Sequence, residues 1–434
     1  MDPAIPLSHQ RCLDRWYPLI DHPVQTKLIK DPHRFKVVPA GRRSGKTERA
    51  KRFIVKAAIN NPEEVYFLAA PTRDQVKKIF WTDVKLLSFY PMLQKAPSES
   101  DLVVFFPNGS EIHLIGLDRP ERMEGQYWSG GVIDEIGNVK ADAWAENISP
   151  ALDTYNPNRP DYRAFCWLIG VPEGMNHYYD LWEYAESGID PEWSGYTWFS
   201  SDILPDDVIA AAKRRLSPRQ YRQEYEASFE TAVGKIYEDY SKENYTTETI
   251  DPKERIHWTH DFNYTPMSSA VTVIRKKKIF VLDEIILTSA VAKQAAMEFV
   301  DKFKDHQNKD LFLYGDPSGR AGEKHGQRSN YIEIEEYLRS NGWKVTRRVK
   351  SKAPAIRDRQ NAVRAKICNA AGERTLFVNP EKCPYSSKGL ATTELKEGSS
   401  FLEEEDDYQH ITTAIGYMTA FVFPIAGGVT ISDI

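Results

Sequence analysis

Residues 34–47 read RFKVVPAGRRSGKT. The apolar Phe35, Val37 and Val38 lead as a short strand into Ala40-Gly41-Arg42-Arg43-Ser44-Gly45-Lys46-Thr47, and a helix-prone stretch with Phe53, Ile54, Val55 and Ala57 follows. Strand, glycine-bearing loop and helix, in that order, is the layout of a Walker A phosphate loop. The loop amides and the helix N-terminus cradle phosphates. In this reading Lys46 reaches the β/γ-phosphates of a nucleotide and the Thr47 hydroxyl holds Mg²⁺. The consensus opens with Gly where this chain has Ala40, and Ala does not take positive φ as cheaply.

A second signal supports the first. Val132-Ile133-Asp134-Glu135, preceded by Gly130 and Gly131, reads as a buried strand ending in two acids, the Walker B pattern. Asp134 is placed to bind Mg²⁺ and Glu135 to polarise the attacking water.

The chain has 434 residues, which predicts two domains or more. Hydrophobic content of 41% and charged content of 27% fit an ordinary globular protein. No apolar run approaches the roughly 20 residues that span a bilayer. No signal-peptide pattern opens the sequence, so a cytoplasmic protein is expected. Cys12, Cys166, Cys368 and Cys383 lie far apart, without metal-finger spacing, and are expected as reduced thiols. Net charge is −5, so nothing global marks a nucleic-acid binder. Basic residues cluster locally at Arg275-Lys276-Lys277-Lys278 and Arg347-Arg348-Val349-Lys350-Ser351-Lys352. Either run is a solvated face or a phosphate contact.

The first half alternates strands and helices. Val65 to Ala70 is a buried strand stopped by Pro71, and Thr72 can cap a helix from Gln75 to Phe89. Leu102 to Phe106 and Glu111 to Ile115 flank Asn108-Gly109, a hairpin signal. Ala164 to Val171 is a further strand. The pattern is a mostly parallel α/β domain over residues 1–230. Residues 231–255 are polar with little periodicity and are expected as a linker region. From 256 to 423 a second α/β pattern runs: a strand hairpin (Val271 to Ile274, Ile279 to Leu282), a helix from Val291 to Asp305, a strand from Leu311 to Tyr314, a helix from Tyr331 to Ser340, a strand from Lys344 to Arg348, and a last helix near Tyr408 to Val422. Residues 424–434 are expected as a flexible tail.

Acids in this second half sit where elements begin or end. Asp261, in His260-Asp261-Phe262-Asn263, opens the hairpin; Asp316 ends a strand ahead of Pro317-Ser318-Gly319; Asp406 and Asp407 lie near the start of the last helix. Converging carboxylates hold hard divalent ions, and two-metal sites cleave phosphodiesters. A strand hairpin followed by alternating α/β elements, with acids at these places, is the ribonuclease-H-like arrangement. Asp261 and Asp316 are the expected metal ligands. For the third, helical spacing places Asp406 or Asp407 on the face of His410, with Asp407 favoured because it shares that face with Ala414 and Tyr417. Glu284, ending the hairpin's second strand, is the other candidate. The basic tip Arg275 to Lys278 is expected beside these acids, gripping duplex phosphates.

The order of these motifs, over about residues 15 to 423, resembles the large terminase subunit of tailed bacteriophages. The Walker A stretch Gly41 to Thr47 is similar to that family's arginine-bearing loop, in which Gly41, Arg42, Arg43, Ser44, Gly45, Lys46 and Thr47 bind the nucleotide. His22-Pro23-Val24-Gln25 looks like its adenine-recognising glutamine motif. Ala70 to Gln75 resembles the segment after the second strand, and Asp118 to Gly125 the segment before Walker B. Gly170-Val171-Pro172-Glu173-Gly174 stands at its coupling motif, where relatives usually carry Ser or Thr. Asp261-Phe262-Asn263 and Gly315-Asp316-Pro317 match its first two nuclease motifs. His410 to Tyr417 resembles the last, with Thr413 where an Asp is common. The resemblance implies an N-terminal ASCE-type P-loop ATPase and a C-terminal ribonuclease-H-like nuclease. It implies ATP and Mg²⁺ as cofactors, with Mn²⁺ possible at the nuclease site. Arg122, with Arg119 second, is implied as an arginine finger acting on a neighbour, or Arg42 as one in cis. The implied partners are double-stranded DNA, the portal protein of the procapsid, the small terminase subunit and further copies in a pentameric ring, in the host cytoplasm and outside the mature virion. The alternative is a helicase-nuclease of repair, but the nuclease pattern follows the first domain directly, leaving no room for a second motor domain.

Overall fold

The structure is a computed structural model that describes residues 6–153, 159, 161–230, 234–262, 266–288, 290–321, 328–396, 399 and 401–425. Asn263 and residues 426–434 of the expected tail lie outside these. The chain divides into two compact units, Met1–Ile209 with Arg222–Thr231, and Ala210–Tyr221 with Ala232–Ile434.

The first unit is built on seven strands: β1 (Phe35–Pro39), β2 (Val65–Ala70), β3 (Val103–Phe105), β4 (Glu111–Gly116), β5 (Gly130–Asp134), β6 (Phe165–Gly170) and β7 (Trp193–Gly195). They lie in the order β3-β4-β2-β5-β6-β1-β7. All pairings are parallel except the edge hairpin β3/β4. Strands of a parallel sheet are covered on both faces, which is why they read as continuous apolar runs. Alternate residues serve two cores. Val38, Leu68 and Val132 pack with Ile54 and Val55 of the helix Lys46–Asn60. Val37, Phe67, Ile133 and Leu168 face Trp128, Trp144 and Tyr178 on the other side. Thr72 caps the following helix, its hydroxyl accepting from the Gln75 N–H.

The second unit carries β8 (Ile256–Asp261), β9 (Met267–Arg275), β10 (Lys278–Leu287), β11 (Asp310–Gly315), β12 (Lys344–Arg347) and β13 (Leu376–Val378). Their order is β12-β11-β8-β9-β10-β13. β8, β9 and β10 form an antiparallel meander, while β11 and β12 run parallel to β8. One face packs on the last helix, Gln409–Val422, through Tyr314, Ile411, Ile415 and Met418. The other packs Trp258, Leu311 and Leu313 against Phe299 and Ile334.

The stretch expected as a linker, 231–255, is from Gly234 onward built into this unit. Lys235 bridges Glu394 and Tyr245 bridges Val378. Ile236, Tyr237 and Asn244 are buried, and the Asn244 amide donates to Ile367 O and Leu376 O at 2.9 Å each. Such a segment lacks periodicity because side-chain-to-backbone bonds, and not a repeating apolar face, hold it in place.

Candidate functional site

The phosphate loop joins β1 to its helix with two left-handed residues, Arg43 (φ 58°) and Gly45 (φ 85°). Ala40 is absent from the positive-φ residues among those described, so the opening position makes no demand for glycine. The loop is braced from outside. Ser44 O accepts from Gln25 Nε2 and Trp198 Nε1, each at 2.9 Å. Arg42 O accepts from Ser200 Oγ at 2.7 Å, and the Arg42 guanidinium pairs with Glu224 at 2.8 Å. Trp198, Ser200 and Glu224 come from distant parts of the chain and carry no sequence signal. Gln25 was expected at an adenine. Its carboxamide is engaged at both ends, since Oε1 accepts from Arg49 Nε at 2.7 Å.

Lys46 is buried and its Nζ lies 3.3 Å from Gly41 O. Burial pushes this ammonium down to about 8, against the opposing pull of Asp134 and Glu135. Thr47 Oγ1 donates to Asp134 Oδ2 at 2.7 Å, so hydroxyl and carboxylate already meet. Both are hard oxygen donors, as a Mg²⁺ ion held by few protein ligands and several waters requires. Glu135 has φ 55°, a left-handed conformation that costs energy for a residue with a Cβ and clusters at functional sites. Burial raises its pKa, and the charges of Asp134 and Glu173 raise it further. Glu173, in the expected coupling motif, thus has a direct electrostatic effect on Glu135. Gln75 Nε2 lies 3.5 Å from the Glu135 carboxylate. Arg119 and Arg122 are exposed. Arg122 and Arg73 line a cavity of about 440 Å³ with Asp101, His113 and Trp128.

In the second unit, β8 and β11 are neighbours, with Gly315 paired to His260. Asp261 and Asp316 therefore emerge side by side at the C-terminal ends of adjacent parallel strands. Alternation along each strand places both on the face covered by the last helix. Asp261 is 6% exposed, and its Oδ2 lies 3.1 Å from His410 Nδ1 of that helix. The bond to Asp261 raises the His410 pKa, with burial opposing. Asp316 is partly exposed and accepts from the Ser318 N–H at 2.9 Å. Two carboxylates at adjacent strand ends fit a hard divalent ion that keeps several waters. Among the described residues no group of three or more His, Cys, Asp or Glu is placed to hold a metal.

Three sequence expectations about this site are corrected. The helix begins at Gln409, so Asp406 and Asp407 precede it and the helical spacing argument does not apply to them. Asp406 instead accepts from the N–H groups of Tyr408 (2.7 Å) and Gln409 (2.6 Å), ending the loop and starting the helix. Asp407 is exposed and reaches His410 only as a charge. Glu284 is spent elsewhere: its carboxylate accepts from Tyr385 N and Ser386 N at 2.8 Å and from Ser386 Oγ at 2.7 Å, capping the helix Pro384–Thr392. The basic hairpin tip is at the wrong end. Asp261 pairs with Ser268, seven residues before Arg275, which sets the tip roughly 20 Å away along the sheet. Arg275 there is tied to Glu248 and Glu254. Glu403 was not anticipated. It takes hydrogen bonds from Arg359 (3.0 Å), Gln360 (2.9 Å) and Thr413 (3.1 Å) beside the last helix.

The first unit is a P-loop ATPase fold and the second a ribonuclease-H-like α/β fold. The large terminase subunit of Escherichia phage T5 is 26% identical over 219 residues, 49% of this chain and 48% of that protein. The large terminase subunit of Thermus phage G20c is 25% identical over 267 residues, 53% of this chain and 54% of that protein. The chain spans about half the length of the curated relatives it matches. No family model matches the chain. Among solved structures, the large terminase of a thermophilic bacteriophage shares the fold with a TM-score of 0.58 at 16% identity, over 95% of this chain and 98% of that one. That terminase in complex with ATP-gamma-S gives a TM-score of 0.55 at 16% identity, over 96% and 98%.

Proposed function

We propose that this chain is a large terminase subunit: an ATP-driven motor that moves double-stranded viral DNA into a procapsid, and a metal-dependent endonuclease that cuts concatemers. The observation that carries the reading is the pairing of two acidic sites on one chain. One is a braced phosphate loop facing Asp134 and Glu135, the other a carboxylate pair at the ends of β8 and β11. The terminase solved with ATP-gamma-S has the same fold at low identity, which supports ATP as the nucleotide here.

In the motor, Lys46 exchanges its weak contact with Gly41 O for phosphate oxygens, and the loop amides hold the rest. Thr47 and Asp134 are the residues that would hold Mg²⁺, which when bound neutralises charge on the phosphates. Glu135 orients and polarises the attacking water. Arg122 is exposed and available to a neighbouring copy in a ring, whereas Arg42 is occupied by Glu224. In the nuclease, Asp261 and Asp316 would hold the divalent ions, Mg²⁺ or Mn²⁺, that supply an activated water and stabilise the leaving oxygen. His410 fixes the orientation of the Asp261 carboxylate. The portal, the small terminase subunit and a homo-oligomeric ring are the assembly partners, in the host cytoplasm.

The test separates the sites. Lys46→Ala is expected to abolish DNA-stimulated ATP hydrolysis while plasmid cleavage persists. Asp261→Asn is expected to do the reverse. A Lys46→Ala protein that hydrolyses ATP at the wild-type rate removes the motor assignment.

A further inference from the structure

Two basic runs stand out in the sequence, and the structure places only one of them near the nuclease carboxylates. We propose that Lys350 and Lys352, which follow β12 past the end of the sheet, are the phosphate-binding flank of the nuclease site and hold the backbone of duplex DNA beside Asp261 and Asp316. This rests on the nuclease reading above and adds the residues that grip its substrate.

Register fixes the location. β12 pairs in parallel with β11, Leu313 opposite Arg347, and the Arg348 N–H donates to Leu313 O at 2.7 Å. The chain from Arg348 onward therefore leaves the sheet at the end where Gly315 and Asp316 finish β11 and Asp261 finishes β8. β12 is two strands from β8, about 10 Å across the sheet.

The face is also shared. Phe312, Tyr314 and Asp316 alternate onto the side of β11 covered by the last helix. The Arg348 guanidinium lies 3.5 Å over the Phe312 ring on that side, and its charge pushes down the pKa of buried His257, after burial itself. Lys350 Nζ sits 6.0 Å from the Phe421 ring of the same helix. Arg348, Lys350, Gly315, Pro317 and Tyr417 border one small cleft. Burial raises the pKa of the Tyr417 hydroxyl, and the charges of Asp316 and Asp261 add to the rise.

Chemistry gives the cleft its ligand. Two carboxylates repel a phosphodiester, and a substrate strand needs cations beside them to be held there. Among the described residues Arg348, Lys350 and Lys352 form no ion pair, and Lys350 and Lys352 are exposed. Arg275 of the other run, by contrast, is already neutralised by Glu248 and Glu254. Arg348 is rigid on Phe312, whereas the two lysines can follow a backbone.

The experiment uses the full chain and a fluorescein-labelled duplex of about 30 base pairs in EDTA, with anisotropy titrations over a salt series; each lost phosphate contact lowers the slope of log K against log salt by about 0.9. Lys350→Gln/Lys352→Gln is expected to lower the slope by about 1 to 2 and to raise the KM for cleavage with kcat retained. Lys276→Gln/Lys277→Gln/Lys278→Gln is expected to leave both unchanged. A double variant with wild-type slope and KM, or a triple variant that loses more than the double, overturns the proposal. Asp261→Asn, assayed alongside, tells the two readings apart. If it cleaves at the wild-type rate, the nuclease reading itself fails. If it is inactive while the double variant binds and cuts normally, only the assignment of the flank fails.

Discussion

Exchanging glycine and alanine between two adjacent loop positions tests what the phosphate loop demands of its backbone. The consensus asks for Gly at position 40, yet Ala40 has no positive φ, is fully buried, and its N–H donates to Gly170 O at 3.0 Å. Ala40→Gly removes one buried methyl, about 0.8 kcal/mol, and adds backbone freedom worth about 0.5–1 kcal/mol. The expected cost is about 1–2 kcal/mol of stability in the first unit, with ATP hydrolysis nearly unchanged. Gly41 is the position without room. A Cβ there lies 2.4 Å from Ser200 Oγ, 2.6 Å from Ser200 N and 2.7 Å from Tyr225 O. Two of these are backbone atoms and cannot rotate away. Gly41→Ala must push the loop off the Ser200 and Glu224 braces. Overpacking of this kind costs about 1–3 kcal/mol, and a shift near 1 Å at the reacting phosphate costs about 10²-fold in rate. Urea unfolding followed by far-UV signal, with steady-state ATPase on the same preparations, measures both. An Ala40→Gly protein that is more stable or faster than wild type refutes the argument, as does a Gly41→Ala protein with wild-type turnover.

Glu135→Gln is expected to bind ATP and not turn it over, because the amide cannot take a proton from water; nucleotide binding by fluorescence and release of phosphate are read separately, and hydrolysis within about 10-fold of wild type counts against Glu135 as the group that polarises water. Glu284→Ala is expected to act on stability. It leaves two helix N–H groups and a hydroxyl without their acceptor, a loss of about 2–3 kcal/mol. Its cleavage rate at a temperature where the protein is folded should match wild type in Mn²⁺. Loss of metal binding in a fully folded Glu284→Ala protein would return Glu284 to the ligand set.

The phosphate loop was legible because it is local: strand, loop and helix lie within 26 consecutive residues, Phe35 to Asn60, and each announces itself by composition. The position of Asp316 could be read for a related reason, since it follows the apolar run Leu311 to Tyr314, whereas Asp261 ends a strand of sequence Ile-His-Trp-Thr-His-Asp that shows no apolar run and could be placed only by the hairpin after it. The direction of the basic tip was also readable, though the expectation missed it. If Asp261 ends the first strand of a meander, the next turn lies at the site and the turn after it lies at the far end. Composition marks a turn as basic and leaves its end of the sheet to topology. The last helix starts within one residue of the expected Tyr408, but capping chemistry defeats the extension of its spacing to Asp406 and Asp407. Asp407 and Asp406, three and four residues before His410, read as helix by spacing, but Asp406 accepts from the N–H groups of Tyr408 and Gln409 and so stands outside it. β7 and β13 have three residues each and no pattern to reveal them. The braces Trp198, Ser200 and Glu224 meet the loop only after the chain has folded.

Thr413, at the position where the resemblance implies an Asp, has a physical partner. Its hydroxyl donates to Glu403 Oε2 at 3.1 Å. Glu403 is nearly enclosed and ion-paired with Arg359 at 3.0 Å, the two side chains 5% and 8% exposed. Burial acts to raise the Glu403 pKa, and the Arg359 charge with the bonds from Gln360 and Gln409 outweighs it, so Glu403 is held ionised. An Asp at 413 would set a second carboxylate against that anion with only one guanidinium to serve both. Like charges at this distance disfavour each other's ionised forms. Thr413→Asp alone is therefore expected to lower the melting temperature of the second unit and to leave Mn²⁺ affinity no better than wild type. Thr413→Asp with Glu403→Gln removes the conflict: the carboxamide can still accept from Arg359, and its N–H₂ can donate to the new carboxylate. The double variant is expected to recover most of the lost stability and to bind Mn²⁺ more tightly, measured by calorimetry without DNA. Independent, additive losses from the two substitutions would show that Glu403 and position 413 are not coupled, and that Thr413 has another cause.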